Sequence, residues 1–519
     1  MIHPYSYYPE RAARHWPEQV ALVEGSRQRS YAELGQRATA IARVLLDLGL
    51  EPGDRVVVIQ YNCIEYVESV VGIARAGGTL VPMLGALTEA EHAFIKRDSR
   101  ARFVIAFNST GLERARAIKS VGDTLLAFGE FKGVVDLTAQ PGGESADVPV
   151  VTDCEPSALA HILYTSGTTG RPKGVTHSYA SVTAAMNFWA TTFDLQPADR
   201  LLGQLPLSHF CGRAMDSAWV AGASLVILPE AAPEAVLATI EQYRISMMLM
   251  VPTVLRMLLD HPGAPGTDLN SLRAVVYAAS PAAPSLVERA IARLGPVLHT
   301  GYGQTEAYGL NTYMGPEEHA RALADGGKRL TSVGRACAHA QLRIRSEDGC
   351  DCATGEVGEI WIWAPWTTPG FWQRPELDEQ RLRNGWLRTG DLGHMEDDGY
   401  YYLADRKEDM IITGGFNVYP AEVENALMAH QAVAECGAFS VPDSMWGEAV
   451  HVAVVLREGQ QADAEELMAF AKSTLARFKV PKVIHIMCEL PKTPVGKILR
   501  RVLREPYWQG QDSGVHGVE

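Results

Sequence analysis

The sequence predicts an α/β chain: a large N-terminal region of layered sheets carrying a β-rich subdomain, followed by a small α+β C-terminal domain. Three observations predict it. Short apolar, β-branched runs alternate with helix-period segments through most of the first 400 residues. Glycine-punctuated, alternating residues replace that pattern after Gly355, and a second set of strand and helix patterns begins beyond the charged stretch Asp405-Arg406-Lys407-Glu408-Asp409.

In order along the chain, residues 55–59, 102–106, 223–228, 246–250 and 272–277 are runs apolar on both faces, which suits strands of a buried parallel sheet. Between them, residues 233–241 and 285–292 carry helix-period apolar faces, the first opened by Pro233 at a position where helices tolerate proline. Residues 355–363 (GEVGEIWIW) read as hairpins. Beyond the charged stretch come a helix from 420 to about 430, strands near 435–440 and 449–456, a helix from about 463 to 476, and a tail rich in Lys and Pro. The division is therefore 1–405 as the large domain, 406–409 as a hinge and 410–519 as a small domain of common size. No solenoid repeat or low-complexity tract interrupts it.

At 519 residues the chain exceeds the roughly 250–300 at which single cores stop growing, so more than one domain is required. With 47% hydrophobic and 21% charged residues it is ordinary globular material, not a disordered chain. A formal charge of −14 disfavours nucleic acid as the main partner, so any anion site has to be built locally. The eight cysteines include no CxxC pair, and Cys350-Asp351-Cys352 is poor spacing for a tetrahedral metal, which favours reduced thiols. The N-terminus MIHPYSYYPERAARHW lacks the apolar stretch of a secretory signal, and no stretch of about 18 uncharged apolar residues follows. The expectation is a cytoplasmic protein with no membrane partner.

Chemistry is carried by four segments. Tyr164-Thr165-Ser166-Gly167-Thr168-Thr169-Gly170-Arg171-Pro172-Lys173-Gly174 follows the strand-like residues 159–163. Its glycines let backbone N–H groups turn inward, its hydroxyls add donors and Lys173 adds charge, all suited to a polyphosphate. It is not a Walker loop, because the four-residue gap before Gly-Lys is missing and Pro172 stands where that motif's helix would begin. Gly301-Tyr302-Gly303-Gln304-Thr305-Glu306 follows another strand-like run; its glycines allow close approach to a flat ligand, while its hydroxyl and carboxylate can meet phosphate and Mg²⁺. It reads equally as a strand-end turn with a solvated glutamate. Asp391, in Trp386-Leu387-Arg388-Thr389-Gly390-Asp391-Leu392, can accept both hydroxyls of a ribose, and Lys497, in Pro491-Lys492-Thr493-Pro494-Val495-Gly496-Lys497-Ile498, can deliver positive charge to an anion.

These four segments stand in the order and spacing of the acyl-adenylate-forming superfamily. The chain resembles its acyl-CoA synthetases, peptide-synthetase adenylation domains and firefly luciferases over essentially its whole length, and is nearest to stand-alone AMP-forming carboxylate–CoA ligases. Leu205-Pro206-Leu207-Ser208-His209-Phe210, Gly355 to Ile360, Asp405-Arg406 and residues 413–424 (TGGFNVYPAEVE) add to the match. The resemblance implies activation of a carboxylate with Mg-ATP, release of pyrophosphate, and transfer of the acyl group from AMP to coenzyme A. It implies that Thr165, Ser166, Gly167, Thr168, Thr169, Gly170 and Lys173 hold the β- and γ-phosphates, that Thr305 bonds the α-phosphate, and that Glu306 with Thr165 serves Mg²⁺. Asp391 takes the ribose with Arg406 nearby, and adenine lies between Gly301-Tyr302-Gly303 and Ala278-Ala279-Ser280-Pro281, where many relatives have glycines in place of the two alanines. Lys497 bridges carboxylate and phosphate during adenylation. The small domain then rotates, with Glu408 at the pivot, and Gly414-Gly415-Phe416 forms part of a tunnel for the pantetheine arm.

The resemblance also places His209 at the acyl pocket, although a structural histidine reads there too. Phe210, Trp219, Tyr308 and Leu310, with Phe188, are further pocket candidates, each of which equally suits core packing. Amino-acid-activating relatives place an aspartate just after this segment; here Phe210 is followed by Cys211 and Gly212, which favours an aryl, alicyclic or short- to medium-chain acid without an α-ammonium. Three functions follow: a CoA ligase; the same adenylation with transfer to an amine or a carrier-protein thiol; and a non-catalytic nucleotide-binding scaffold, which the presence of Lys497 and Glu306 disfavours. Monomer and homodimer both remain open.

Overall fold

Apolar runs with no polar face need cover on both sides, and two seven-stranded sheets with helices between their strands supply it. The computed structural model describes residues 7–138, 155–165, 172–208, 212, 215–280, 282–406, 409–413, 416–443, 445–492 and 498–508. One sheet runs Leu298–Thr300, Ala274–Tyr277, Met247–Met250, Arg200–Gly203, Ser224–Ile227, Val20–Glu24, Arg27–Ser30, parallel up to its last, antiparallel pair. The other runs Val135–Asp136, Thr124–Ala127, Phe103–Ala106, Arg55–Gln60, Thr79–Leu84, Leu159–Thr165, Lys173–Ser178, and again only the last pair is antiparallel. All five predicted strands are present, and the helices Pro233–Tyr243 and Pro284–Leu294 begin at proline.

These registers position the site. Tyr277 pairs with Thr300 in parallel, so the segments leaving both strands, 278–280 and 301–303, emerge side by side at a carboxyl edge, where open α/β sheets bind ligands. Thr165 faces Lys173 across an antiparallel pair, so the Gly/Thr loop joins two strands and not a strand to a helix, in keeping with its departure from a Walker loop.

The expected hairpins form an antiparallel sheet of Gln341–Arg345, Gly358–Trp363, Trp386–Met395, Leu382–Arg383 and Tyr401–Arg406. The C-terminal residues build their own sheet of Ile411–Thr413, Phe416–Val418, Val433–Asp443, Gly447–Leu456 and Val483–Met487. Val423 and Leu427 of the helix Pro420–Met428 and Leu467 of Ala464–Thr474 pack into its core with Ile411, Val450 and Val452, and the Asp463 side chain caps the second helix. The charged stretch is not wholly a connection: Asp405 and Arg406 continue the strand Tyr401–Arg406 and pair with Leu392 and Asp391, because the parent sheet still offers them backbone partners. Among the described residues no helix is long and apolar enough to cross a membrane.

Candidate active site

Two glycines let the backbone fold closely around Tyr302. A Cβ on Gly301 would stand 2.2 Å from the Thr312 carbonyl oxygen, and one on Gly303 would stand 1.9 Å from that of Gly309. The turn is fastened to the returning chain by the Tyr302 N–H donating to Thr312 Oγ1 (2.9 Å) and the Asn311 N–H donating to the Tyr302 carbonyl (2.7 Å). Gly303→Ala is therefore expected to destabilise the protein by about 2–3 kcal/mol, read as a lower denaturant midpoint at unchanged slope. An unchanged midpoint would show that the turn can open without penalty.

The turn leads into the 3₁₀ segment Thr305–Ala307. Glu306 is buried, and its Oε1 accepts from Lys173 Nζ at 2.8 Å. Burial alone would raise the Glu306 carboxyl; the Lys173 charge and hydrogen bond, with the Arg381 charge, outweigh burial and hold it below its ordinary value. The site thus keeps a buried anion against a half-buried cation. The turn is held from below by buried side chains of the two strands that flank the Gly/Thr loop. His177 Nε2–H donates to the Thr305 carbonyl (2.9 Å), and His161 Nδ1 lies 2.7 Å from the Tyr308 hydroxyl, whose ring packs 4.2 Å from that of His177. The Thr368 N–H donates to the Glu306 carbonyl at 2.7 Å.

Thr165 supplies a second pointer to a ligand. Its Oγ1 is buried with no hydrogen-bond partner, an arrangement that costs about 1–3 kcal/mol unless a bound group supplies the bond. The residue stands opposite Lys173, whose ammonium reaches Glu306, so hydroxyl, ammonium and carboxylate belong to one locality. Magnesium keeps most of its waters and takes only one or two protein carboxylates, and this donor set fits it. Among the described residues no three His, Cys, Asp or Glu are grouped to hold a metal by themselves.

On the other side of the turn the Tyr302 hydroxyl donates to Asp391 Oδ2. Asp391 is set by its own N–H donating to Thr389 Oγ1 (3.0 Å), while Thr389 Oγ1 donates to the Ile360 carbonyl (2.6 Å). Arg406 pairs in register with Asp391, and its side chain lies outside the described residues. Ala278 is buried and Ala279 exposed, with Ala279 at φ +75°, a left-handed conformation that L-residues other than Gly, Asn and Asp seldom adopt. Ala279→Gly is expected to relieve the strain and, after the entropy that glycine gives the unfolded chain, to stabilise by about 0.5–1 kcal/mol. A lower melting temperature would contradict that.

The structure thus brings together Thr165, Lys173, Thr305 and Glu306 on one side of Gly301-Tyr302-Gly303 and Asp391 on the other, with Ala279 and Ser280 leaving the adjacent strand. Ser166, Gly167, Thr168, Thr169, Gly170, His209, Phe210, Pro281, Glu408, Gly414, Gly415 and Lys497 lie outside the described residues. Of the pocket candidates, Trp219 is buried beside Tyr66, Leu207 and Met215, Leu310 is buried, and Tyr308 is engaged by the two histidines. Phe416 is exposed and stacks on Phe478. Sequence reasoning missed His177, Thr368 and Arg381. Arg381 donates to the Arg388 and Thr389 carbonyls beside Asp391, and nothing in its charged helix Pro375–Arg381 marks it.

The Gly301-Tyr302-Gly303 turn at the carboxyl edge of one sheet, set against the Thr165–Lys173 pair at the end of the other, is the arrangement expected of an adenylate-forming enzyme. Residues 9–372 match the family model described as AMP-binding enzyme and residues 422–497 that of the AMP-binding enzyme C-terminal domain, and the chain belongs to this family. It is 33% identical to the medium/long-chain-fatty-acid–CoA ligase FadD8 of Mycobacterium tuberculosis, over 97% of this chain and 90% of that one. Among solved structures it is similar to the amide bond synthetase McbA of Marinactinospora thermotolerans (31% identity, TM-score 0.89, 97% of this chain and 100% of that one). It is also similar to ATP-bound MatB of Rhodopseudomonas palustris (29% identity, TM-score 0.87, 97% and 99%).

Proposed function

We propose that the chain is an AMP-forming carboxylate–CoA ligase, with ATP, a small carboxylic acid and coenzyme A as substrates. The observation that carries the reading is the pair of half-buried Lys173 and buried Glu306 beside the orphaned Thr165 hydroxyl, a set of groups that a nucleoside triphosphate can engage. A carboxylate oxygen attacks the α-phosphorus as the bond to pyrophosphate breaks, and the obstacle is the approach of two anions. Lys173 leaves Glu306 to meet the β- and γ-phosphates, Thr165 donates its hydroxyl to a phosphate oxygen, and Thr305, positioned by His177, bonds the α-phosphate. Lys497 bridges the two reacting anions, so that positive charge is in place before negative charge concentrates. Mg²⁺, held by Glu306 and Thr165, would neutralise phosphate charge. Asp391 accepts the ribose hydroxyls and Tyr302 stacks on adenine while tying down Asp391.

In the second step the thiol sulfur attacks the acyl carbon, AMP departs and the thiol proton is lost. The large and small domains exchange orientation about Glu408 between the steps, moving Lys497 away and bringing in Gly414-Gly415-Phe416. An aryl, alicyclic or short- to medium-chain acid suits the absence of an aspartate directly after Phe210. The likeness to an amide bond synthetase supports a second reading, in which the same adenylate passes to an amine. Acid-dependent exchange of label between pyrophosphate and ATP tests the adenylation common to both. Exchange with at least one such acid is expected, and none across the panel would overturn the reading.

A further inference from the structure

Within the proposed two-step function, we infer that Arg256 is a positioning residue for the first step, latching the small domain onto the large one in the orientation that adenylation needs. Arg256 belongs to the helix Pro252–Asp260 of the large domain. Its guanidinium donates to the Ala434 carbonyl through Nη1 and to Glu435 Oε1 through Nη2 (3.2 Å), both on the small-domain strand Val433–Asp443. That strand is irregular at this point: Val433 pairs with Leu456 and Glu435 with Val455, so Ala434 is the extra residue of a bulge and has no partner on the neighbouring strand. The bulge presents a carbonyl and a carboxylate together, a target that suits the planar fork of arginine and that a lysine would meet only as a point charge.

The contact leads to the proposed catalytic lysine. Glu435 uses its other oxygen, Oε2, to hold Lys492 Nζ at 2.5 Å, and Lys492 pairs with Ile498 across an isolated antiparallel bridge. The Leu499 N–H donates to the Pro491 carbonyl (2.8 Å) just below it. Lys492 and Ile498, the described residues on either side of Lys497 in the sequence, are therefore tied to the same carboxylate that Arg256 grips. Arg256 and Glu435 are both largely shielded from solvent, so the pair is little screened by salt. The chain is similar over 97% of its length to ATP-bound MatB, a likeness that supports reading this arrangement as that of the first step. Rotation of the small domain has to break the latch, so the latch favours the first step and has no part in the second.

The test compares wild type, Arg256→Ala and Arg256→Lys in single-turnover adenylate formation and in thioester formation from supplied acyl-adenylate. Arg256→Ala is expected to slow adenylation about tenfold or more, the effect of losing a charge-assisted hydrogen bond, with thioester formation retained and Arg256→Lys intermediate. Equal loss in both steps, or no loss in either, would overturn the latch. A turnover-independent readout separates this from failure of the functional reading: fluorophores on the two domains of the ligand-free protein should report a longer or broader distance in Arg256→Ala. An unchanged distance overturns the latch whatever the chemistry. Wild type with the compact distance but no pyrophosphate release would instead overturn the ligase reading alone.

Discussion

Lys497→Ala is expected to lower acid-dependent pyrophosphate release by about 10²–10³-fold while leaving thioester formation from supplied acyl-adenylate largely intact. The asymmetry follows from charge. In adenylation a carboxylate meets a polyphosphate, and a positioned ammonium stabilises the phosphorane in a site from which water is excluded. In thioester formation a thiol meets the carbonyl carbon of an acyl-adenylate, and no second anion has to be brought to the first. A single-turnover assay of each step reads the split. Equal losses would mean that one arrangement of the domains serves both steps, contrary to the rotation proposed here.

Lys173→Met is expected to destabilise the protein by about 3–5 kcal/mol at neutral pH, since it leaves Glu306 buried without its partner. The pH dependence has a definite sign. In wild type the Glu306 carboxyl sits below its unfolded value, so the pair contributes stability that is present above that value and lost as pH falls through the folded one. Without Lys173, burial dominates and pushes the carboxyl above its unfolded value, so stability in the variant is lost as pH rises. The difference between the proteins should therefore widen from about pH 4 to pH 8, measured as denaturant midpoints, with Lys173→Arg retaining most of the wild-type stability. A difference independent of pH would show that Glu306 does not depend on Lys173 for its charge.

The strands were legible because runs such as residues 55–59 and 246–250 are apolar at every position or nearly so, a pattern that only two-sided burial rewards. Gly301-Tyr302-Gly303 was legible as a close turn for the same local reason: its glycines lie beside the residues they serve. His177 was not, since its partner Thr305 is 128 residues further along the chain. Arg381 acts on Glu306 through space, and Arg256 meets Ala434 from 178 residues away at a bulge that no sequence pattern announces. The edge of the hinge was blurred because Arg406 looks like part of an exposed charged run, yet its backbone still has Asp391 to pair with. Strained Ala279 carries no local mark either, since alanine is unremarkable until its φ is known.

The most direct measurement of the central claim is incubation of the enzyme with Mg-ATP and a panel of aryl, alicyclic and C2 to C16 carboxylic acids, with and without coenzyme A, following AMP, pyrophosphate and the acyl product by mass. The ligase reading predicts that one class of acid yields AMP and acyl-CoA in equal amounts and that turnover stalls at the adenylate when coenzyme A is left out. Adenylate that accumulates in the presence of coenzyme A, with no thioester formed, would contradict it.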